Sequence, residues 1–210
     1  MRDLLPIELF EIMTHIKYGG HISYLVGGSV RDYMIGNTPK DFDIVTDMPV
    51  DNLIPVLIEN DWVINEAGKQ FLVLIATKGG MQFEIAQFRK DGSYTDGRRP
   101  DSVEIGTIEE DAERRDLTIN SLYYDPYNDL VIDPTGNGIN DINNKIIRMN
   151  GSPERRIKED LLRIMRVYRF AGTLGFVIHK KTLVACRTHF SDMCIKIPGA
   201  RIINEVEKMI

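Results

Sequence analysis

Cysteine is nearly absent. Cys186 and Cys194 are the only two in 210 residues, close together near the C-terminus and without CxxC spacing. Neither a disulfide framework nor a thiolate zinc site follows from such a pair, which is expected to be reduced and buried. Long apolar runs are missing too, and none approaches the roughly 20 residues needed to cross a bilayer. The first twenty residues carry Asp3, Glu8 and Glu11 where a leader would have a basic stretch and an apolar core, so the chain reads as unprocessed and cytoplasmic. No internal repeat is visible. What is present is 43% hydrophobic and 27% charged residues with 17 Gly and 9 Pro, the composition of a globular chain long enough for one large domain or two small ones.

The net charge of −5 conceals an asymmetry. Residues 1–150 hold 14 Lys/Arg against 25 Asp/Glu, net −11, whereas residues 151–210 hold 12 against 6, net +6. An acidic part suits a site that needs metal cations, and a basic part suits a surface that meets a polyanion. Two solvated surfaces with segregated charge would show the same numbers.

Periodicity supplies the elements. Leu9, Ile12, Met13 and Ile16 fall at i, i+3, i+4 and i+7, which predicts an amphipathic helix stopped by Gly19-Gly20. A strand over His21–Val26 runs into Gly27-Gly28, with Ser29 as a candidate N-cap of a short helix to Met34. A second strand spans Asp41–Thr46, a helix covers 50–59 despite Pro55, and strands follow at Trp62–Asn65, Phe71–Ala76 and Met81–Phe88. Gly79-Gly80 between the last two is a hairpin signal. Residues 89–102 contain almost no apolar side chain and read as a long surface loop. Thr107 and Glu110 have capping-box spacing, opening a helix expected to reach about Tyr123. Ser152-Pro153 marks a boundary, since Ser152 can cap and Pro153 suits the first helical position. Beyond it everything reads helical. The expected architecture is an α/β (α+β) head with a mixed antiparallel sheet, followed by a small all-α domain.

Four groups of residues carry candidate chemistry. Asp41 and Asp43, two apart on a strand, project from one face while Phe42 and Ile44 point to a core. In a chain with 18 Asp such a pair arises by chance, but Glu84, lodged between Phe83 and Ile85 on another strand, offers a third carboxylate. Carboxylates on adjacent strands can hold two divalent cations that activate a hydroxyl and steady a leaving pyrophosphate. Gly27-Gly28 between strand and helix admits a phosphate to free backbone N–H groups, and Arg31 can add a charge-assisted contact. Arg114, Arg115 and Asp116 form the third group; an intrahelical ion pair on a wet face is the plain alternative. In the fourth, Asp160, Arg163, Arg166 and Arg169 recur every three positions, each step turning about 60° backward around a helix. Asp160 and Arg163 match the donors and acceptors of a base edge, while Arg166 and Arg169 suit a triphosphate or nucleic-acid backbone. Three arginines beside one acid look poorly balanced without an anionic partner.

Taken together these residues resemble a known family. Leu25-Val26-Gly27-Gly28-Ser29-Val30-Arg31-Asp32, then Gly36, then Asp41-Phe42-Asp43-Ile44-Val45-Thr46 resembles the head motif of the class II tRNA nucleotidyltransferases (CCA-adding enzymes) and bacterial poly(A) polymerases, in the DNA polymerase β superfamily. Phe83-Glu84-Ile85 through Phe88-Arg89 looks like the strand of the third carboxylate, and Tyr94-x-Asp96-x-Arg98-Arg99-Pro100 is similar to the flexible loop. Arg114-Arg115-Asp116-Leu117-Thr118-Ile119-Asn120 resembles the ribose-contacting segment, and Glu159-Asp160-x-x-Arg163 through Arg169-Phe170 the neck helix that templates CTP and ATP.

The resemblance implies a catalytic head over 1–150, a nucleotide-templating neck over 151–210, and no body or tail domain. It implies Mg²⁺ on Asp41 and Asp43 with Glu84 as supporting acid, phosphates on Gly28 and Arg31, and sugar and phosphate on Arg115 and Asp116. Asp160 and Arg163 would read the base, with Arg166 and Arg169 completing the pocket. The implied activity is template-independent addition of C and A to tRNA 3′ ends, by in-line attack with release of pyrophosphate. Poly(A) or A-only addition is the alternative within the class, and a catalytically silent RNA-binding module the alternative outside it. CC-only addition fits less well, because CC-adding members lack the loop element that Asp96 to Arg99 resembles. Family members continue into body and tail domains that grip the tRNA, so the hold on tRNA, or on its acceptor stem, would fall to the basic neck helices, a second copy or a partner chain, or the sequence is a fragment of a longer one.

Overall fold

The computed structural model describes residues 1–94 and 101–209. It divides into two compact units, one of Met1–Lys90, Val103–Ala112 and Leu122–Pro134, the other of Asp91–Ser102, Glu113–Ser121 and Thr135–Ile210. The division does not follow a single cut at residue 150, because 113–121 and 135–150 group with the second unit.

In the first unit the expected helix forms as α1 (Ile7–Tyr18), with its stripe Leu9, Ile12, Met13 and Ile16 fully buried. Next come β1 (Ser23–Val26), α2 (Gly28–Met34), β2 (Asp43–Thr46) and α3 (Val50–Glu59). Pro55 lies inside α3 on its exposed side, where the carbonyl it leaves without a helical donor can meet water. Then follow β3 (Val63–Asn65), β4 (Val73–Lys78), β5 (Met81–Gln87), the ribbon β6 (Arg89–Asp91) and β7 (Val103–Ile105), α4 (Ile108–Arg114), β8 (Tyr123–Asp125) and β9 (Leu130–Ile132). Gly79 and Gly80 both have positive φ, 59° and 82°, as a two-residue hairpin turn between β4 and β5 requires.

Seven strands form one mixed sheet in the order β3-β4-β5-β2-β1-β8-β9, antiparallel except where β2 lies parallel to β5. Register fixes two faces. Leu25, Ile44, Ile85 and Leu74 align across four strands on one face and are wholly buried. Helices α1 and α3 pack against β1 and against β3 and β4, adding Leu53 and Leu57 to this core. On the other face Val26, Val45 and Tyr123 cluster with Phe88 and Ala112.

Helix α4 begins as expected: the Thr107 N–H donates to Glu110 Oε2 at 3.0 Å, and the Glu110 N–H to Thr107 Oγ1 at 3.3 Å. It ends at Arg114, not near Tyr123.

The second unit shows why. Past α4 the chain enters an antiparallel bridge between Leu117 and Met149, with the Thr118 N–H donating to the Arg148 carbonyl at 3.0 Å, and this tertiary pairing overrides helical propensity. The unit continues through α5 (Gly138–Asn143), β10 (Ile146–Ile147), α6 (Pro153–Glu159), α7 (Arg163–Leu174), β11 (Val177–Ile178), α8 (Lys180–Lys196) and α9 (Gly199–Glu207). Pro153 opens α6 and Ser152 caps it, accepting from the Arg155 N–H at 3.5 Å. The part beyond residue 150 is not wholly helical, because Val177 and Ile178, past the left-handed Gly175, pair in parallel with β10. Cys186 is buried as expected, Cys194 is exposed, and both are free thiols. Among the described residues no helix is long and apolar enough to cross a membrane.

Candidate functional site

The carboxylates sit where the sheet's second face is uncovered. Asp43 opens β2 and is the register partner of Glu84 on parallel β5, so the two side chains leave the same face side by side. Asp41 precedes the strand instead of lying on it. The alternation holds through the segment: Asp41 and Asp43 are exposed, while Phe42 and Ile44 are buried. Glu84 is likewise exposed between buried Phe83 and Ile85. Exposure spares these acids the desolvation that a buried carboxylate suffers. The donor set is all oxygen, which suits a hard divalent cation. Among the described residues no three His, Cys, Asp or Glu side chains gather so as to hold an ion by themselves, so Asp41, Asp43 and Glu84 are not a three-carboxylate cage. A cation here would need substrate oxygens and water to complete its shell.

One register step away on β1, the chain turns at Gly27, whose φ of 78° and ψ of −126° are open only to glycine. Gly27 is the N-cap of α2, in place of the expected Ser29, which lies inside the helix with its hydroxyl 3.4 Å from the Val26 carbonyl. Gly28 has a different role: a Cβ there would meet Arg31 Nη2 at an ordinary 3.7 Å, so its backbone lies against the guanidinium. Arg31 is buried and donates from Nε and Nη2 to Asp32 Oδ1 at 2.9 and 2.8 Å.

The remaining candidates belong to the second unit. Arg114 ends α4, and Arg115 and Asp116 lie beyond it, not along a wet helical face. Arg115 is half-buried, and its carbonyl accepts from Asn150 Nδ2 at 3.0 Å. Asp116 is buried and takes hydrogen bonds from the Leu117 N–H at 2.8 Å and Arg166 Nε at 2.6 Å. Burial alone would raise its pKa, but the adjacent Arg166 charge and hydrogen bond prevail and hold it at about 2.

Asp160 does not share a helix with the arginines. It terminates α6 in an extended conformation, φ −149° and ψ 108°, and accepts from the Leu162 N–H at 3.0 Å, which breaks the expected continuous ladder. Burial pushes its carboxyl up, against the pull of Arg201 and Arg163. Arg163, Arg166 and Arg169 do follow one another on α7. The expectation of three arginines poorly balanced beside one acid is corrected: Arg163 meets Glu159 at 2.6 Å, Arg166 meets Asp116 at 2.6 Å, and Arg169 meets Glu205 at 2.7 Å. Arg163 also donates to the carbonyls of Arg156 and Arg114 at 2.9 and 3.2 Å.

Arg156 and Glu205, which the sequence did not single out, complete this network with Glu159, which it gave only as part of the neck motif. Glu159 lies between Arg156 and Arg163; burial would raise its carboxyl, yet the two guanidiniums hold it below the usual range. Buried Glu205 does the same for Arg169 from α9. The i+3 and i+4 spacing of Arg156, Glu159 and Arg163 was a usable signal. Nothing local ties Glu205 to Arg169, 36 residues earlier. The loop motif Asp96 to Arg99 lies outside the described residues.

A sheet with exposed acids at the mouth of a glycine turn, in a chain that also carries an arginine helix braced by acids, defines a nucleotidyltransferase type of head. The chain belongs to the Poly A polymerase head domain family, which it matches over residues 23–148. It is 40% identical over 204 residues to a CCA-adding enzyme of Streptococcus pyogenes serotype M2, covering 97% of this chain and 49% of that protein. It superimposes on the Bacillus stearothermophilus CCA-adding enzyme in complex with CTP with a TM-score of 0.84 at 31% identity, over 96% of this chain and 47% of the other. A tRNA nucleotidyltransferase complexed with a primer tRNA and an incoming ATP analog gives 0.76 at 27% identity, over 93% and 55%. The chain thus spans about half the length of the curated relatives it matches.

Proposed function

We propose that this chain carries the catalytic and nucleotide-selecting parts of a template-independent RNA nucleotidyltransferase that adds C and A to tRNA 3′ ends from CTP and ATP. The observation that carries the reading is the exposed placement of Asp43 and Glu84 as register partners in the sheet, with exposed Asp41 on the approach to β2, among neighbouring positions that are buried. Relatives solved with CTP, and with a primer tRNA and an ATP analog, support the choice of substrates.

Asp41 and Asp43 would hold Mg²⁺, and Glu84 beside Asp43 would support the site or help take the proton of the primer hydroxyl. Bound magnesium supplies charge neutralisation for the attacking and leaving oxygens. The RNA 3′-oxygen forms a bond to the α-phosphorus, the α–β bridging bond breaks, and pyrophosphate leaves. Gly28 and Arg31 would receive phosphates, with Arg31 exchanging part of its hold on Asp32 for them. Arg115 and Asp116 would address the sugar and nearby phosphate. Asp160 and Arg163 would read the base, and Arg166 and Arg169 would finish the pocket. Acid partners turn Arg166 and Arg169 into fixed presenters: each is anchored through Nε, which keeps its terminal N–H groups aimed at little entropic cost on binding.

The test is incorporation from CTP, ATP, UTP and GTP, singly and in pairs, with Mg²⁺ and tRNAs ending at the discriminator base, C or CC. Addition of C then A is the expected result. Long A tracts on any RNA would replace it with polyadenylation, addition of A alone with an A-adding role, and RNA binding without incorporation with a silent module.

A further inference from the structure

One half of the sheet's second face is bare. The row of register partners that begins with Asp43 and Glu84 continues through Ile75 on β4 to Asn65 on β3. A second row, two residues along, runs from Gln82 on β5 through Thr77 to Val63. Residues paired in this way project from one face, so both rows share the face of the carboxylates. The residues that alternate with them, Leu74, Ala76, Phe83 and Ile85, belong to the core on the other face and are buried. Asn65, Gln82 and Glu84 are exposed, Ile75 and Thr77 are half-buried, and Val63 is 71% exposed. Strand spacing carries this surface about 14 Å from β2 to β3.

The direction of attack identifies what lies there. In-line transfer sets the attacking and leaving oxygens on opposite sides of the α-phosphorus. In the strand order β3-β4-β5-β2-β1, the Gly27-Gly28 turn that would take the leaving phosphates follows β1, on one side of Asp43. The attacking hydroxyl therefore arrives from the other side, over β5 and β4. The chemistry of the two rows agrees. Beyond Glu84 they carry no charge: Ile75 and Val63 give an apolar floor, and Gln82, Thr77 and Asn65 offer amides and a hydroxyl. Asn65 Oδ1 takes the Ala67 N–H at 2.9 Å, which leaves Nδ2 as the donor for a ligand. An apolar floor edged by neutral donors and acceptors suits the base and ribose of an unpaired RNA end, whereas a triphosphate needs cations.

We infer, resting on the transferase reading of the carboxylates, that the 3′-terminal nucleotide of the acceptor RNA lies on this half of the sheet, seated on Ile75 and Val63 and held by Gln82, Thr77 and Asn65. These residues bring the attacking hydroxyl to Glu84 and Asp43, and they stand apart from the phosphate-binding turn.

CMP incorporation into tRNA ending at the discriminator base, with RNA and CTP varied separately, tests the placement. Gln82→Ala/Thr77→Val, which keeps strand-compatible residues, should raise the KM for RNA about ten-fold through the loss of two hydrogen bonds and leave the KM for CTP unchanged. Charge at Val63 gives a sign: Val63→Glu should raise the RNA KM and Val63→Lys lower it, each by about two- to three-fold at low salt. A merely structural role would not reverse with the charge. Binding without turnover separates the RNA site from the activity. An acceptor-stem RNA hairpin with a free 3′-hydroxyl, added to the isotopically labelled full chain without Mg²⁺ or CTP, should shift the resonances of Asn65, Ile75, Thr77 and Gln82. Those shifts in a chain that incorporates nothing would uphold the RNA-end site and overturn the transferase reading. Incorporation with an RNA KM indifferent to all three variants, or shifts only elsewhere, would overturn the site. A mass that doubles with concentration and is halved by Val63→Glu would give the face to a second copy instead.

Discussion

Replacing Asp116 by Asn removes one charge while keeping the shape and the acceptor for the Leu117 N–H. The carboxyl stands at about 2 against its ordinary 3.8, with burial opposing and Arg166 driving the shift. At about 1.4 kcal/mol per pH unit, that difference makes the charged form worth about 2 to 3 kcal/mol of stability at neutral pH. Arg166 remains 33% exposed, so in the variant its freed charge can still reach water, and the loss should stay near this figure without reaching the larger penalties of fully buried pairs. The sign is fixed by the direction of the shift: with a depressed folded-state pKa, the stabilisation is complete above about pH 4 to 5 and drains away as pH falls through 2. Urea unfolding of the native chain and of Asp116→Asn should therefore differ by about 2 to 3 kcal/mol at pH 7 and by about half as much at pH 3. A gap below about 0.5 kcal/mol at pH 7, or one that does not change with pH, would refute the electrostatic origin.

The glycine turn and the capping box give two further checks. Gly27→Ala forces an L-residue into φ 78°, ψ −126° and should cost about 1 to 3 kcal/mol, whereas Gly28→Ala, with only a 3.7 Å contact to make, should cost less than about 1; equal urea midpoints would contradict the distinction. Thr107→Ala leaves the Glu110 N–H without its cap and should destabilise by about 1 kcal/mol, and an unchanged midpoint would mean that the 3.3 Å bond contributes nothing.

Local patterns in the sequence carried most of the first unit. The α1 stripe, the Gly79-Gly80 turn and the Asp41 to Thr46 alternation obey periods of 3.6 and 2, which survive folding because one face of each element is buried. Where tertiary contacts chose the structure, the pattern misled. The helix expected to run to Tyr123 stops at Arg114 because Leu117 pairs with Met149, and β8 and β9, three residues each, offered too little periodicity to be noticed. The arginine ladder was visible but its charge balance was not: Asp116 and Glu205 reach Arg166 and Arg169 from 50 and 36 residues away. Asp160 shows a third kind of limit, since a side chain that captures the N–H two residues on can end a helix inside a run that otherwise reads helical.

The central claim is that the exposed carboxylates of β2 and its approach are the reacting centre. Its most direct test is incorporation of labelled CMP into tRNA ending at the discriminator base, by the native chain and by Asp43→Asn and Asp41→Asn, with unfolding midpoints measured in parallel. Because both acids are exposed and support no core, the variants should keep their stability within about 0.5 kcal/mol. They should lose incorporation on the order of 10³-fold, the consequence of several kcal/mol of lost charge stabilisation in the transition state. Undiminished incorporation by stably folded Asp43→Asn would contradict the account.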